Sequence, residues 1–355
     1  MTNLDSKEDI EKLDKGGILK SIELIPDQFT QAWKEIEESK LPTGASVTQN
    51  VVICGMGGSA LGGRAVDSVV YGRARVPIEV FNEYKIPNYV NSDSFVIISS
   101  YSGNTEETLS CAKLALTKGA KIFGITTGGK LAEFLKRNKL AGYVFNPKYN
   151  PSGQPRMGLG YSIAAIYALL IKCGLVRYSN EKEHIVFTLK KYIDEYNVNI
   201  PENGNLAKTF ARKLLHKVVI LMASEHLVGV THGFANQLNE NSKTFSTTFD
   251  LPEANHHLIE GLRFPAKAKD LLSFLFMESK HYTPEVQKRY PITKEVFKIN
   301  GYPSLGYVTS SEDAILEIFE VLVFGSFVSF YLAMLNGVDP TPIPWVDYFK
   351  AQLVR

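Results

Sequence analysis

Hydroxyl side chains gathered beside glycines are the first chemistry this sequence offers. Residues 55–63 read GMGGSALGG, with Ser59 directly after the pair Gly57-Gly58, and residues 99–108 read SSYSGNTEET, with Ser100, Ser102 and Thr105 around Gly103. Each stretch follows a short β-branched run (Val51-Val52-Ile53, then Val96-Ile97-Ile98) and precedes residues that suit a helix. A strand, a tight loop and a helix start form a ready anion site, because free backbone N–H groups and the positive end of the helix dipole point the same way. Hydroxyls at such a turn suit a compact phosphate monoester better than a pyrophosphate. Ser, Thr and Asn are also ordinary caps and turn formers, but two such loops at neighbouring strand ends favour a ligand, with Gly58, Ser59, Ser100, Ser102 and Thr105 as its contacts. The first loop also fits G-x-G-x-x-A (Gly55, Gly57, Ala60). That dinucleotide pattern asks for an acidic residue at the end of the next strand, about 20 residues on, and Glu83 lies late for it.

Three further residues could move protons or meet an oxyanion. Arg156 stands between Pro155 and a helix start, where a guanidinium can face an oxyanion or simply lie on the surface. Glu240 ends the polar run Asn236-Gln237-Leu238-Asn239-Glu240-Asn241-Ser242. A carboxylate there is a base if partial burial raises its pKa, and otherwise a solvent-facing glutamate at a helix end. His256, in Leu251-Pro252-Glu253-Ala254-Asn255-His256-His257, can exchange protons near neutrality. HExxH, CxxC and carboxylate–His metal spacings are missing, so the sequence implies no metal and no cofactor.

The elements that must position these residues read as an α/β chain. From residue 51 the order is strand, helix, strand, strand, helix, strand, the last of these at 121–127 and running into Thr126-Thr127-Gly128-Gly129, and then a helix near 131–136 and a strand at 143–145. Such alternation implies a mostly parallel sheet covered by helices on both faces. An irregular stretch, 147–160, leads into a helix at 161–173. A charged helical stretch, 180–202, connects to a second unit with a helix at 204–215, a strand at 217–224 and a helix at 232–241. Strands are expected at 245–249, 270–277 and 296–299, and a long apolar helix at 312–335 is expected to be buried or to face a second copy. The domain plan is an N-terminal helical segment (1–44) packed outside the first sheet, a first α/β/α domain (45–180), a linker (181–202) and a second domain with C-terminal helices (203–355). A chain of 355 residues with 45% hydrophobic and 21% charged residues suits two soluble domains. A net charge of +2 without a basic stripe gives no support for nucleic acid. The polar, acidic start and the lack of an uncharged run of membrane length point to a cytoplasmic protein with no membrane partner. Cys54, Cys111 and Cys173 read as buried thiols.

GMGGSALGG followed by SYSGNTEETL resembles the sugar-isomerase (SIS) fold family, whose members bind phosphosugars through Ser and Thr at strand ends. The pair Pro155-Arg156, Asn239-Glu240, Pro252-Glu253-x-x-His256 and the terminal Lys350 are similar to motifs of archaeal-type bifunctional phosphoglucose/phosphomannose isomerases, over residues 55–350. The resemblance implies two SIS-like three-layer domains. It implies an isomerase of glycolysis and gluconeogenesis acting on glucose 6-phosphate, fructose 6-phosphate and mannose 6-phosphate through a cis-enediol. Glu240 would be the base and His256 the ring opener, with Arg156 and Lys350 completing the catalytic set. A homodimer is also implied, with the histidine brought in from the neighbouring subunit. Two positions depart from the pattern: His257-Leu258 stands where relatives often continue N-E, and Ile343 stands at the expected threonine, leaving Thr341 as its substitute. The competing readings are a non-catalytic phosphosugar-binding protein of the same fold and an NAD-dependent oxidoreductase.

Overall fold

The computed structural model describes residues 2–353. Three helices open the chain, α1 (Lys7–Leu13), α2 (Ile18–Glu23) and α3 (Ile25–Glu38). The first sheet follows as β1 (Asn50–Cys54), α4 (Gly58–Val70), β2 (Ile78–Phe81), β3 (Ser94–Ser99), α5 (Glu106–Thr117), β4 (Lys121–Thr126), α6 (Gly129–Arg137) and β5 (Ala141–Val144). All neighbours in the order β2-β1-β3-β4-β5 are parallel. Side chains alternate across it with period two. Val51, Ile53, Phe95, Ile97, Phe123 and Ile125 join the main core with α4 and with α7 (Leu159–Lys172), while Val52, Cys54, Val96, Ile98 and Ile122 meet Cys111, Ala112, Leu131 and Leu135 of α5 and α6. Both faces are therefore dry, as a parallel sheet requires.

Helices α8 (Lys182–Tyr196) and α9 (Leu206–Leu214) lead to the second unit: β6 (Val218–Ala223), α10 (Val228–Glu240), β7 (Ser246–Asp250), α11 (Ala268–Leu271), β8 (Leu272–Glu278), α12 (Pro284–Ile299), β9 (Ser304–Val308), α13 (Ala314–Leu335) and α14 (Pro344–Leu353). Its sheet is parallel in the order β7-β6-β8-β9. The two-sheet α/β reading holds.

Two expectations are corrected, and a third is decided between its alternatives. Residues 296–299 are the last turn of α12, and the strand lies instead at β9, half-exposed at the sheet edge with Gly306 inside it. The N-terminal helices do not coat the first sheet from outside. Of them, α3 packs on α7 and α8 and α2 on α13, with Phe29 of α3 against Phe319 and Trp33 against Tyr167 at 5.3 and 5.7 Å between ring centroids. Finally, α13 offers no surface to a second copy, because every residue from Ile315 to Leu335 is buried within one chain. It is the one helix among the described residues long and apolar enough to cross a membrane, and its burial makes it the core helix of this fold. All three cysteines are buried and free.

Candidate active site

In the first sheet the chain leaves β1 and β3 in opposite directions, so a crevice opens at the carboxyl ends of these two strands. Both hydroxyl loops stand there. Ser59, in the first turn of α4, accepts the Tyr101 N–H at 2.8 Å and ties the loops together. Ser100 is buried and donates to Thr105 Oγ1 at 3.1 Å. Thr105 is the N-cap residue of α5 yet makes no side-chain capping bond, and Gly57 caps α4 without a side chain, so neither helix start is closed by a side-chain cap, although at α4 the Ser59 and Ala60 N–H groups turn back to the carbonyls of Met56 and Gly57 at 3.1 and 3.0 Å. Ser102 is exposed, its hydroxyl accepting the Asn104 N–H at 3.3 Å. Gly103 has φ +69, and any Cβ there would collide with the carbonyl of Gly128. Thr127 braces the same loop by donating its N–H and hydroxyl to Tyr101 O at 3.0 and 2.7 Å.

Gly58 joins this crevice to the catalytic candidates. A Cβ on it would fall 2.8 Å from the carbonyl carbon of Pro155 and 2.9 Å from Arg156 N, so the glycine lets the phosphate loop touch the arginine segment. Arg156 is 1% exposed, and all five of its N–H donors are engaged. Nε donates to Asn241 Oδ1 at 2.6 Å, Nη1 to Gln154 Oε1 at 2.8 Å and Glu240 Oε2 at 3.3 Å, and Nη2 to the carbonyls of Pro340 and Thr341 at 2.8 and 2.9 Å. A buried guanidinium paired in this way is a fixed charge. Gln237 adds a bond from Nε2 to Arg156 O at 3.2 Å.

Glu240 closes α10, which packs along α4 and brings its last turn to the start of that helix. Its side chain is 27% exposed and so reaches the cleft. Burial pushes its carboxyl above the ordinary carboxylate range, against the opposing pull of Arg156, Lys243 and Lys350. Lys243 donates to Glu240 O, Pro340 O and Pro342 O at 2.5, 3.3 and 2.7 Å, and desolvation lowers it to about 8. Lys350 lies on α14, exposed but near enough to act on Glu240. Thr341 meets Arg156 through its carbonyl only. Its hydroxyl is buried over Gly16 without a partner. Gln154, Gln237 and Asn241 were not among the sequence candidates, although the polar run 236–242 around Glu240 held two of them. Tyr101, whose hydroxyl accepts from Asn150 Nδ2 at 2.8 Å, lines the crevice with Ser59 and Tyr161 and had no signal beyond its place in the loop.

One candidate stands apart. Asn239 ties the end of α10 to the start of β7, accepting the Ser246 N–H at 3.1 Å. His256 comes only after β7 has run its five residues, roughly 16 Å at the usual strand rise. It sits in a 3-10 turn, exposed, beside a His257 that pairs with Glu253 at 2.7 Å. Glu240 and His256 of one chain therefore lie toward opposite ends of the second sheet. The crevice of that sheet, between β6 and β8, is filled by the protein itself. Glu317, wholly buried, accepts from Ser279 Oγ and Thr309 Oγ1 at 2.5 and 2.6 Å and meets His226 Nε2 at 2.6 Å. Glu320 accepts from the Ser310 and Ser311 N–H groups. Among the described residues no three His, Cys, Asp or Glu side chains converge to hold a metal ion.

Residues 203–353 match the family model of the bacterial phospho-glucose isomerase C-terminal SIS domain. The chain is 34% identical over 346 residues to a bifunctional phosphoglucose/phosphomannose isomerase of Caldicellulosiruptor bescii, covering 95% of this chain and 99% of the relative. It is 28% identical over 331 residues to the enzyme of that name from Thermoplasma acidophilum, covering 92% and 97%. A hypothetical protein of Thermus thermophilus shares the fold, with a TM-score of 0.75 at 15% identity over 95% of this chain and 90% of that one.

Proposed function

This chain belongs to the family of bifunctional phosphoglucose/phosphomannose isomerases, and on that basis we propose how its residues interconvert glucose 6-phosphate, mannose 6-phosphate and fructose 6-phosphate. The phosphate sits in the crevice between β1 and β3. Ser100, Thr105, Ser59 and Ser102 donate to it beside the positive N-terminal ends of α4 and α5. The sugar then extends past Gly58 toward Arg156 and Glu240. Glu240 takes the proton from one of C1 and C2 and returns it to the other through a cis-enediol, which a single carboxylate can do without a metal or cofactor. The observation that carries this reading is the state of Glu240: partly open to the cleft, raised by burial, and held by a guanidinium with no donor to spare. Arg156 keeps the site positive as the enediolate forms, and Lys350 adds a mobile cation above it.

Ring opening falls to His256, and the distance along β7 argues that each site takes it from a second copy. In the resulting homodimer, Glu240 of one chain works with the partner subunit's His256. The surface that supports such a dimer is α14. None of its described residues is buried, and Trp345, Tyr348, Phe349 and Leu353 are 82, 61, 61 and 50% exposed, a run of apolar side chains that a lone subunit leaves in water. Three buried free thiols fit a cytoplasmic setting. A coupled assay on fructose 6-phosphate and mannose 6-phosphate tests the reaction, with Glu240→Gln as the comparison. The variant is expected to bind sugar phosphate while losing at least about a thousand-fold in turnover, the scale of a lost proton-transfer group. Retained turnover would remove Glu240 from the mechanism.

A further inference from the structure

The far ends of α4 and α7 enclose a second positively charged cleft that the isomerase reaction does not use. The two helices begin at the phosphate crevice and run 13 and 14 residues, so their ends lie about 20 Å away at the usual helical rise. There the chain after α4 and the chain after α7 pair as an antiparallel bridge, Ala74 with Val176. Arg73, Arg75 and Arg177 surround about 1080 Å3 of space open to solvent. Gly72 and Gly174 form part of the wall, and no atom stands where a side chain on Gly72 would be.

The guanidiniums are under-used. Arg73 is held by Tyr167 and by Glu181 at 2.8 Å, yet its Nε is buried with no acceptor. Arg75 donates once, from Nη1 to Gly174 O at 3.1 Å. Arg177 pairs with no carboxylate among the described residues. Cations are expected near helix C-termini, but that preference does not explain three guanidiniums around one open space with one carboxylate between them. Arginine forks match phosphate oxygens in pairs, and three guanidiniums around one open space suit two phosphate groups better than one.

We propose that this cleft is a second anion site, separate from the isomerase site, which takes a small molecule carrying a diphosphate or two phosphate groups. Inorganic pyrophosphate is the probe, titrated calorimetrically into the full-length protein at low salt, with and without saturating fructose 6-phosphate. ADP and a sugar bisphosphate serve as arms that separate nucleotide from sugar ligands. Pyrophosphate is expected to bind one site per chain whether or not fructose 6-phosphate is present, and more tightly than orthophosphate. Arg75 and Arg177 are both exposed, so the variant Arg75→Ala/Arg177→Ala is expected to keep its melting temperature and its activity while binding pyrophosphate at least about ten-fold more weakly. Arg177→Gln alone gives an intermediate loss. Absence of binding to the wild type, displacement by fructose 6-phosphate, or equal affinity in the double variant would each overturn the assignment. Failure of fructose 6-phosphate itself to bind would count against the isomerase reading and leave the pyrophosphate result to stand by itself.

Discussion

Arg156 commits every N–H to a partner, so its contribution to Glu240 is a fixed field, whereas Lys350 is exposed and free to move. This difference predicts distinct kinetic effects. Glu240 must be ionised to accept a proton, and burial holds its pKa above the ordinary value of 4.5 while the nearby cations pull it down. Removing a cation therefore raises it further. In Lys350→Met the acid limb of kcat/KM, which reports the free enzyme, is expected to move to higher pH with the fold intact. A limb that stays in place would show that Lys350 does not act on the base. At the other end of the substrate, Ser100→Ala and Thr105→Ala are each expected to raise the Michaelis constant for fructose 6-phosphate by about ten-fold or more, the worth of a hydrogen bond to a charged group, and unchanged constants in both would remove the cradle. That the two hydroxyl loops lie at neighbouring strand ends was legible from sequence, because hydroxyls and glycine follow a β-branched run within a short stretch. The clamp around Arg156 was not, since Gln154, Gln237, Asn241 and the carbonyls of Pro340 and Thr341 come from three distant segments, and nothing local in Asn241 distinguishes a clamp from a helix end.

The two sheets share one design with different occupants. At the crevice of the first, hydroxyls and helix starts meet with no carboxylate among the described residues bonded to Ser59, Ser100 or Thr105. At the crevice of the second, Ser279, Thr309, Ser310 and Ser311 face the carboxylates of Glu317 and Glu320 from α13. These glutamates read in sequence only as charges that keep a long apolar helix out of a lipid bilayer, because the pattern of one helix cannot reveal which donors another layer will bring. Glu317→Ala would leave His226, Ser279 and Thr309 without their acceptor in a dry site and is expected to cost about 3–5 kcal/mol in a denaturant titration. The hydrogen bonds hold the Glu317 pKa below 4.5 in spite of burial. Its stabilisation is thus present above pH 4.5 and lost as the pH falls toward the folded-state value, a decline that Glu317→Gln should lack. An equal acid decline in both proteins would mean that Glu317 is not the titrating group. The same limit explains the strand misread at residues 296–299. Val296-Phe297-Lys298-Ile299 is a short β-branched and aromatic run of the kind strands use, but Val286, Tyr290, Thr293 and Phe297 are the buried residues of a helix that begins at Pro284. True β9, at a sheet edge with Gly306 inside, carries too little apolar pattern to stand out.

In the complete subunit, the apolar helix α13 is consumed inside one chain, and its sequence carries no warning of this because a core helix and an interface helix have the same composition. The dimer proposed above would then rest on α14 and on the exposed stretch around His256. The mechanism stands or falls on a site that draws Glu240 from one chain and His256 from the other. Its sharpest test mixes the Glu240→Gln and His256→Ala variants, each expected to be nearly inactive, refolds them together and measures isomerase activity alongside the fraction of heterodimer. In a random mixture half of the dimers are mixed and each mixed dimer has one intact site, so activity is predicted to recover to about a quarter of the wild-type value. Full activity of a monomeric wild type, or no recovery in a sample with proven heterodimers, would contradict the shared site and require that Glu240 and His256 meet within a single chain.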